Sequence, residues 1–432
     1  MTARSTAGPP HVLVLAVGTA GDVYPFLRIA RELVARGHRV TLLGIQVHAA
    51  AAAGAGVPFH ALGTEAQYRA TLEHPDVWHP LKGFRVLWAG MRDSVDALPD
   101  YVATLPAHEP LVVLAHPLTL LGAALVRARR PGLRIVAAWL APANLRTLQD
   151  PLTIGPLRIP RWVPLAWRGW LWRRVDARFI DPVSVPDINA AHARHGLPPV
   201  HHFIDTVQGV ADAHLTLFPR WFAATPSDWP RPLVEGAFAL YDPQPDDALP
   251  AALENFLRDG AAPLLFTPGS GNRQAQRWLA RSLEAARRLG RRAVLLTPHR
   301  EQVPATLPAD VLWLPYVPLR ALLPRVAALV HHGGIGTTAE ALRAGVPQVI
   351  VPLAYDQFDN AARVEALAAG CGLAGGAAGA RPRALARALE RLLASPGIRA
   401  GCARAARLAA ADAANLDVTG RAEALLGLGP AA

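Results

Sequence analysis

Two Rossmann-like, doubly wound α/β domains facing a cleft are the fold class that the sequence predicts. Apolar runs of strand length alternate with helical spacings in both halves of the chain. A joint rich in Pro, Asp and Trp, residues 226–249, separates the halves. The chain has 432 residues, more than one hydrophobic core ordinarily organises.

Taken in order, residues 11–17 (HVLVLAV) read as a buried strand and residues 18–25 (GTAGDVYP) as a turn. In residues 26–36, Phe26, Leu27, Ile29, Ala30 and Leu33 follow helical spacing, and Gly37 stops the helix. Residues 40–44 supply the next strand. A sheet that opens in this way holds its ligands at the carboxyl ends of its strands. GTAGDVYP is not a GxGxxG fingerprint, and no acidic residue ends the second strand to hold a ribose, so a dinucleotide is not the expected ligand. The turn carries Asp22, whose ordinary use is as a helix N-cap. Further strands are expected at residues 111–114, 134–139 and 213–218, with helical texture at 185–196.

Between residues 144 and 180 the pattern loosens, and Trp162, Trp167, Trp170 and Trp172 crowd among arginines and prolines. Packing of a long insertion on its own domain is the plainer expectation for these tryptophans. The alternative is an amphipathic flap that receives a greasy substrate or touches a membrane surface. After the joint the rhythm restarts. Strands are expected at 263–267, 293–297, 311–314, 327–330 and 348–353, a turn at 268–272 (PGSGN) and a helix at 274–289. The expected domains are residues 1–225 and 250–410, with a last helix at 411–432 packing back on the first domain.

Hydrophobic residues make up 51% of the chain and charged ones 18%, which fits a globular protein. The net charge of +11 is carried almost wholly by scattered arginine, with Lys82 the single lysine. Scatter rather than a stripe argues against a nucleic-acid partner. Cys371 and Cys402 give neither a disulfide framework nor metal-ligand spacing. The polar start of the chain lacks the apolar centre of a signal peptide. The apolar run 111–126 is interrupted by His116 and Pro117 and is shorter than a membrane span. A cytoplasmic protein is expected, with peripheral contact at the inner face of a membrane kept open.

Residues 331–360 (HHGGIGTTAEALRAGVPQVIVPLAYDQFDN) concentrate the chemistry. A buried strand feeds a turn containing Gly333, Gly334 and Gly336, and a helix follows. Unpaired backbone N–H groups and the helix dipole make such a turn an anion site, and glycine lets the ligand approach closely. His332 adds a donor, and Thr337 and Thr338 add hydroxyls. The next strand ends at Asp356, Gln357, Asp359 and Asn360. An anion site followed by a polar cluster suits a ligand with a diphosphate at one end and hydroxyls at the other, as in a sugar nucleotide.

With these stretches together, the chain resembles the family 1 glycosyltransferases of the GT-B fold. Within them it is most similar to the bacterial branch that includes the rhamnosyltransferases of rhamnolipid synthesis. The segments GTAGDVYPF, VWHPLKGFRVLW, LFPRWFAATPSDWPRPL, FTPGSG and HHGGIGT through DQFDNA carry the likeness almost end to end. The resemblance implies an N-terminal acceptor-binding domain and a C-terminal nucleotide-sugar-binding domain. It implies that His332, Gly334, Gly336, Thr337 and Ser270 contact the donor diphosphate. Glu340 would accept hydrogen bonds from the ribose, and Asp356 and Gln357 would hold the sugar hydroxyls. Tyr316 and Val317 stand where the family carries Trp-x-Pro-Gln, so the aromatic ring would stack on the base. Leu319 in place of Gln leaves the nucleotide open. Asp22 takes the place of the catalytic base.

The implied reaction is an inverting displacement of a hexose onto a hydroxyl of a hydrophobic acceptor. The branch implies dTDP-L-rhamnose as donor and a 3-hydroxyacyl lipid as acceptor. The alternative is UDP-glucose with a polyketide, sterol or aromatic acceptor. No cofactor is expected, and no metal, because the chain has no Asp-x-Asp. An Asp base is intrinsically weak at neutral pH, and a helix N-terminus beneath it opposes its tuning. Rival readings are an epimerase of UDP-N-acetylglucosamine and a non-catalytic sugar-nucleotide-binding subunit. His116, His38 and His299 read as packing or surface residues. Tyr68, Trp78 and Trp88 read as acceptor lining or as helix packing.

Overall fold

The computed structural model describes residues 8–150, 152–244 and 248–429. Residues 1–7 of the polar N-terminus, 245–247 of the predicted joint and 430–432 of the predicted last helix lie outside the described residues.

The N-terminal sheet contains β1 (His11–Leu15), β2 (Val40–Ile45), β3 (Phe59–Gly63), β4 (Leu111–Ala115) and β5 (Arg134–Trp139). An antiparallel hairpin of β6 (Leu152–Ile154) and β7 (Leu157–Ile159) stands apart from it. β8 (Ala213–Thr216) and β9 (Leu233–Val234) complete the sheet, in the order β3-β2-β1-β4-β5-β8-β9, all parallel. Strands of this kind need both faces covered, and β1 and β4 are buried along their whole lengths. The winding reverses between β1 and β4, so the crevice opens at their carboxyl ends.

Helix α1 (Ala20–Ala35) follows β1, and α2 (Leu165–Val175) lies in the insertion between β5 and β8. Helix α1 begins well before the predicted Phe26, because Thr19 caps it and Asp22 completes the cap from the first turn. From Ala20 on, the segment read as a turn is therefore helical. Asp22 is not the N-cap itself but its capping-box partner.

The C-terminal sheet contains β10 (Leu264–Thr267), β11 (Ala293–Leu296), β12 (Val311–Leu314), β13 (Ala328–His331), β14 (Gln348–Ile350) and β15 (Gly370–Gly372). Their order is β12-β11-β10-β13-β14-β15, again all parallel. Leu264 and Phe266 pack into one apolar cluster with Trp278, and Leu265 packs into another with Val294 and Leu329 on the opposite face. This is the two-residue period of a strand covered on both sides.

Helices α3 (Ile335–Ala344) and α4 (Gln357–Ala366) present their N-termini at the carboxyl edge of this sheet. Helix α5 (Pro396–Asn415) packs against α3, and α6 (Val418–Leu426) lies on α1, β4, β5 and β8 of the first domain. Val418, Ala422 and Leu426 are part of the N-terminal apolar core, and Arg36 bonds Asp417 at 2.8 Å. No described helix is long and apolar enough to cross a membrane.

The tryptophan insertion departs from the plainer expectation. Trp172 lies under the Arg146 guanidinium at 4.0 Å, but Trp162, Trp167 and Trp170 are exposed rather than packed.

Candidate functional site

A cleft of about 420 Å³ runs between the two domains, and both motif regions reach it. From the first domain, β1 ends and Gly18 turns the chain with φ +119°, a conformation that favours glycine. A Cβ there would lie 2.4 Å from Asp22 Oδ2. Asp22 Oδ2 accepts the Thr19 N–H at 2.7 Å and the Thr19 hydroxyl at 3.0 Å. Asp22 Oδ1 has no bond from a described protein donor. Burial raises the Asp22 pKa above the ordinary carboxylate range, against the lowering by the two Thr19 bonds. Desolvation therefore outweighs those two bonds.

From the second domain, β13 ends at His331 and His332 follows it, two histidines with different surroundings. His331 is fully buried, with Nε2 2.9 Å from Gln348 Oε1 and Nδ1 accepting the Gly333 N–H at 3.2 Å, so it is structural. His332 lines the cleft, and its ring is clasped by two glycines. A Cβ at Gly269 would lie 2.6 Å from its Cε1, and one at Gly334 would lie 2.5 Å from its Nε2. Gly269 also takes φ +91°. His332 Nδ1 is buried without a partner among the described residues, and burial pushes the imidazole pKa down to about 4. Nε2 is the ring nitrogen on the side of the start of α3, the one a Cβ on Gly334 would meet, and no side chain caps the first N–H groups of that helix. Gly336 and Thr337 line the cleft there, and Ser270 faces them from the loop after β10. Thr338 is otherwise engaged, donating to Gly334 O at 3.0 Å.

Asp356 and Gln357 open α4 at the same cleft. Gln357 Oε1 accepts the Leu353 and Ala354 amides at 2.7 and 3.1 Å, which leaves the Gln357 amide nitrogen for a ligand. Asp356 Oδ2 accepts from Asn360 at 2.7 Å. Burial first, and then the charge of Asp22, push the Asp356 pKa up to about 7. A carboxyl raised in this way contributes stability in full below its unfolded pKa, near ~4, and loses it as pH rises through about 7. Asp356→Asn is therefore expected to raise the unfolding temperature at about pH 8 and to leave it unchanged at about pH 4. Thermal unfolding at the two pH values checks this.

The residues expected to hold the nucleoside are not in this cleft. Glu340, one helical turn beyond Thr337, lines a second pocket of about 230 Å³ with Tyr241, Asp242, Arg320 and Arg343. Its Oε2 accepts from Arg343 Nε at 2.9 Å and Nη2 at 2.6 Å. Tyr316 is half-exposed and donates to Asp242 at 2.5 Å. The Val317 side chain is buried in the apolar core, so only its backbone can address a ligand. The predicted set thus divides across α3, with diphosphate and sugar groups beside Asp22 and the nucleoside pair beyond.

The first domain adds an apolar stretch of cleft wall, Leu62, Leu72, Phe84, Leu87, Met91 and Phe203, among polar side chains that include Gln67, Thr71, Asp93 and Ser94. Tyr68 and Trp78 line it as well. Trp88 does not; it is buried and donates to Asp187 at 2.8 Å.

Two cleft residues carry no signal in the sequence. His116, read as a packing histidine, lines the cleft at the end of β4. Its Nδ1 accepts the Leu118 N–H at 3.3 Å, which places the ring proton on Nε2, and burial pushes its pKa down to about 3. It is a permanent neutral donor. Tyr355 takes φ 56°, rare for a residue with a side chain, and donates across the cleft to Val77 O at 2.6 Å.

Comparisons with known proteins bear on the family and the fold. Residues 12–107 match a family described as the glycosyltransferase family 28 N-terminal domain, and residues 281–425 match the erythromycin biosynthesis protein CIII-like, C-terminal domain. The chain is 33% identical to O-mycaminosyltylonolide 6-deoxyallosyltransferase of Streptomyces fradiae, over 82% of this chain and 83% of that one. It is 29% identical to 4'-demethylrebeccamycin synthase of Lentzea aerocolonigenes, over 94% of this chain and 98% of that one. Among solved structures, the glycosyltransferase of kitacinnamycin superposes with a TM-score of 0.70 at 22% identity, covering 97% of this chain and 100% of that one. A spinosyn rhamnosyltransferase complexed with thymidine diphosphate superposes with a TM-score of 0.64 at 20% identity, covering 96% and 99%.

Proposed function

The chain belongs to the family 1 glycosyltransferases of the GT-B fold, and from that premise we propose that it moves a 6-deoxyhexose, L-rhamnose or a close analogue, from a dTDP donor to a hydroxyl of a hydrophobic natural product. The observation that carries this reading is one cleft holding Asp22, the His332–Thr337 anion turn and the Asp356-Gln357 pair, extended by an apolar wall. The relatives favour a dTDP-deoxysugar over UDP-glucose. One is named a 6-deoxyallosyltransferase, another a dTDP-epi-vancosaminyltransferase, and a rhamnosyltransferase neighbour holds thymidine diphosphate. The same names favour a polyketide-like acceptor over a 3-hydroxyacyl lipid.

The geometry supports a single in-line displacement with inversion. The acceptor hydroxyl sits on the apolar wall, and Asp22 Oδ1 takes its proton as the oxygen attacks the anomeric carbon. The bond to the donor phosphate breaks on the opposite side. Charge on the departing diphosphate is met by His332, by the first amides of α3 and by Ser270, all fixed before the reaction. Asp356 and the Gln357 amide nitrogen hold the sugar. Glu340 and Tyr316 hold the nucleoside beyond α3, once Glu340 exchanges its Arg343 contact for the ribose.

A donor panel tests the assignment. Purified protein is offered dTDP-L-rhamnose or UDP-glucose, each with a macrolactone aglycone, a 3-hydroxyacyl acid or a polyphenol, and products are read by mass spectrometry. Transfer from dTDP-rhamnose to the macrolactone is expected. Transfer from UDP-glucose alone would refute the donor, and transfer to the hydroxyacyl acid alone would return the acceptor to the lipid class.

A further inference from the structure

The insertion between β5 and β8 carries an aromatic, basic face that the sugar-transfer reading does not use. Residues 151–175 (PLTIGPLRIPRWVPLAWRGWLWRRV) contain four tryptophans and five arginines and no acidic residue. Trp162 is 82% exposed, Trp167 64% and Trp170 48%, and Leu157 and Leu165 are half-exposed beside them. Such side chains are not left in water without reason, because exposed aromatic patches mark interaction surfaces.

The face is rigidly built. Arg168 is buried, and its guanidinium donates to the carbonyls of Leu148 at 2.8 Å, Val163 at 2.9 Å and Pro160 at 3.3 Å, and also to Arg161 O. This ties the loop bearing Trp162 to the start of α2. Trp167 and Trp170 pack edge to face at 6.1 Å, and Arg174 lies over the Trp170 ring at 5.4 Å. Arg161, Arg173 and Arg174 are exposed, and no acidic side chain among the described residues pairs with them.

We propose that this face docks on an anionic lipid bilayer. Tryptophan and leucine suit the boundary between headgroups and acyl chains, and the arginines meet lipid phosphates. A second copy of the protein is a poorer occupant, since a self-complementary pairing sets arginine against arginine. The hairpin of the same insertion adjoins the cleft. The hairpin tip lies against the 74–83 loop, where a Cβ on Gly155 would be 3.4 Å from Pro80 Cβ, and that loop also supplies Val77 and Trp78 to the cleft wall. Docking brings the apolar wall to acceptors dissolved in the bilayer. That benefit rests on the proposed hydrophobic acceptor, whereas the docking itself does not.

The test is co-sedimentation of the full chain, without donor or acceptor, with vesicles of equal parts phosphatidylglycerol and phosphatidylcholine and with vesicles of phosphatidylcholine alone. The intact protein is expected to sediment with the anionic vesicles, to leave them as salt is raised, and to bind the neutral ones at least about tenfold more weakly. The triple variant Trp162→Ala, Trp167→Ala, Trp170→Ala and the triple variant Arg161→Glu, Arg173→Glu, Arg174→Glu should each lose at least about tenfold in vesicle partition. Both should unfold at the wild-type temperature. Absence of binding by the intact protein overturns the proposal, as does unchanged binding by either variant. Self-association of the intact protein that the tryptophan variant abolishes, read by light scattering, overturns it in favour of a copy–copy interface.

Discussion

Asp22→Asn is expected to slow sugar transfer by roughly a hundred- to ten-thousandfold while leaving donor affinity unchanged within about threefold. The variant is chosen because asparagine keeps an oxygen for the Thr19 N–H and hydroxyl, so the start of α1 survives. What it removes is the capacity to take a proton. The pH profile gives an independent readout. Asp22 must be ionised to act, and burial raises its pKa, so the wild-type rate should fall on acidification within a range above that of an ordinary carboxylate. Donor titration and rate measurements across pH check both parts. Transfer at the wild-type rate by Asp22→Asn would show that the base is another group.

The second large effect is expected at His332. His332→Ala should lower turnover by roughly a hundred- to a thousandfold, because one preorganised donor to a developing oxyanion commonly contributes that much. The same substitution should weaken dTDP binding, since the His332 ring lines the cleft beside the uncapped N-terminus of α3. Gly334→Ala supplies the control. Its new Cβ would sit 2.5 Å from His332 Nε2, so the imidazole must move while its chemistry stays intact. A comparable loss in both variants, read by single-turnover rates and calorimetry with dTDP, would show that position matters as much as identity. Wild-type turnover in His332→Ala would remove the imidazole from the donor site.

Much of this arrangement is legible in the amino-acid order, for reasons that differ from element to element. The strand–turn–helix–strand unit around His332 is legible because apolar runs, glycines and a helical stretch follow one another locally. It runs from Ala328–His331 through Ile335–Ala344 to Gln348–Ile350. The start of α1 is not legible, because Gly21, Asp22 and Pro25 look like turn residues until Thr19 is seen capping them. β15 is Gly370–Gly372, a segment with no strand propensity that exists because β14 offers it a paired edge. His116 could not be found, since only the adjacency of β4 to β1 carries it to the cleft. The division of the donor residues across α3 is equally silent in the sequence. Glu340 and Thr337 are three positions apart, yet they line different pockets.

The helix Val418–Leu426 has a consequence for recombination between relatives. It follows the second domain in the chain, but Val418, Ala422 and Leu426 complete the hydrophobic interior of the first. A hybrid made by one crossover in the proline-rich joint would join each parent's first domain to the other parent's closing helix. Such a hybrid carries mismatched side chains at the centre of a domain that its designer supposed untouched. Hybrids with two crossovers, which return residues 418–426 to the parent of the first half, keep that interior native.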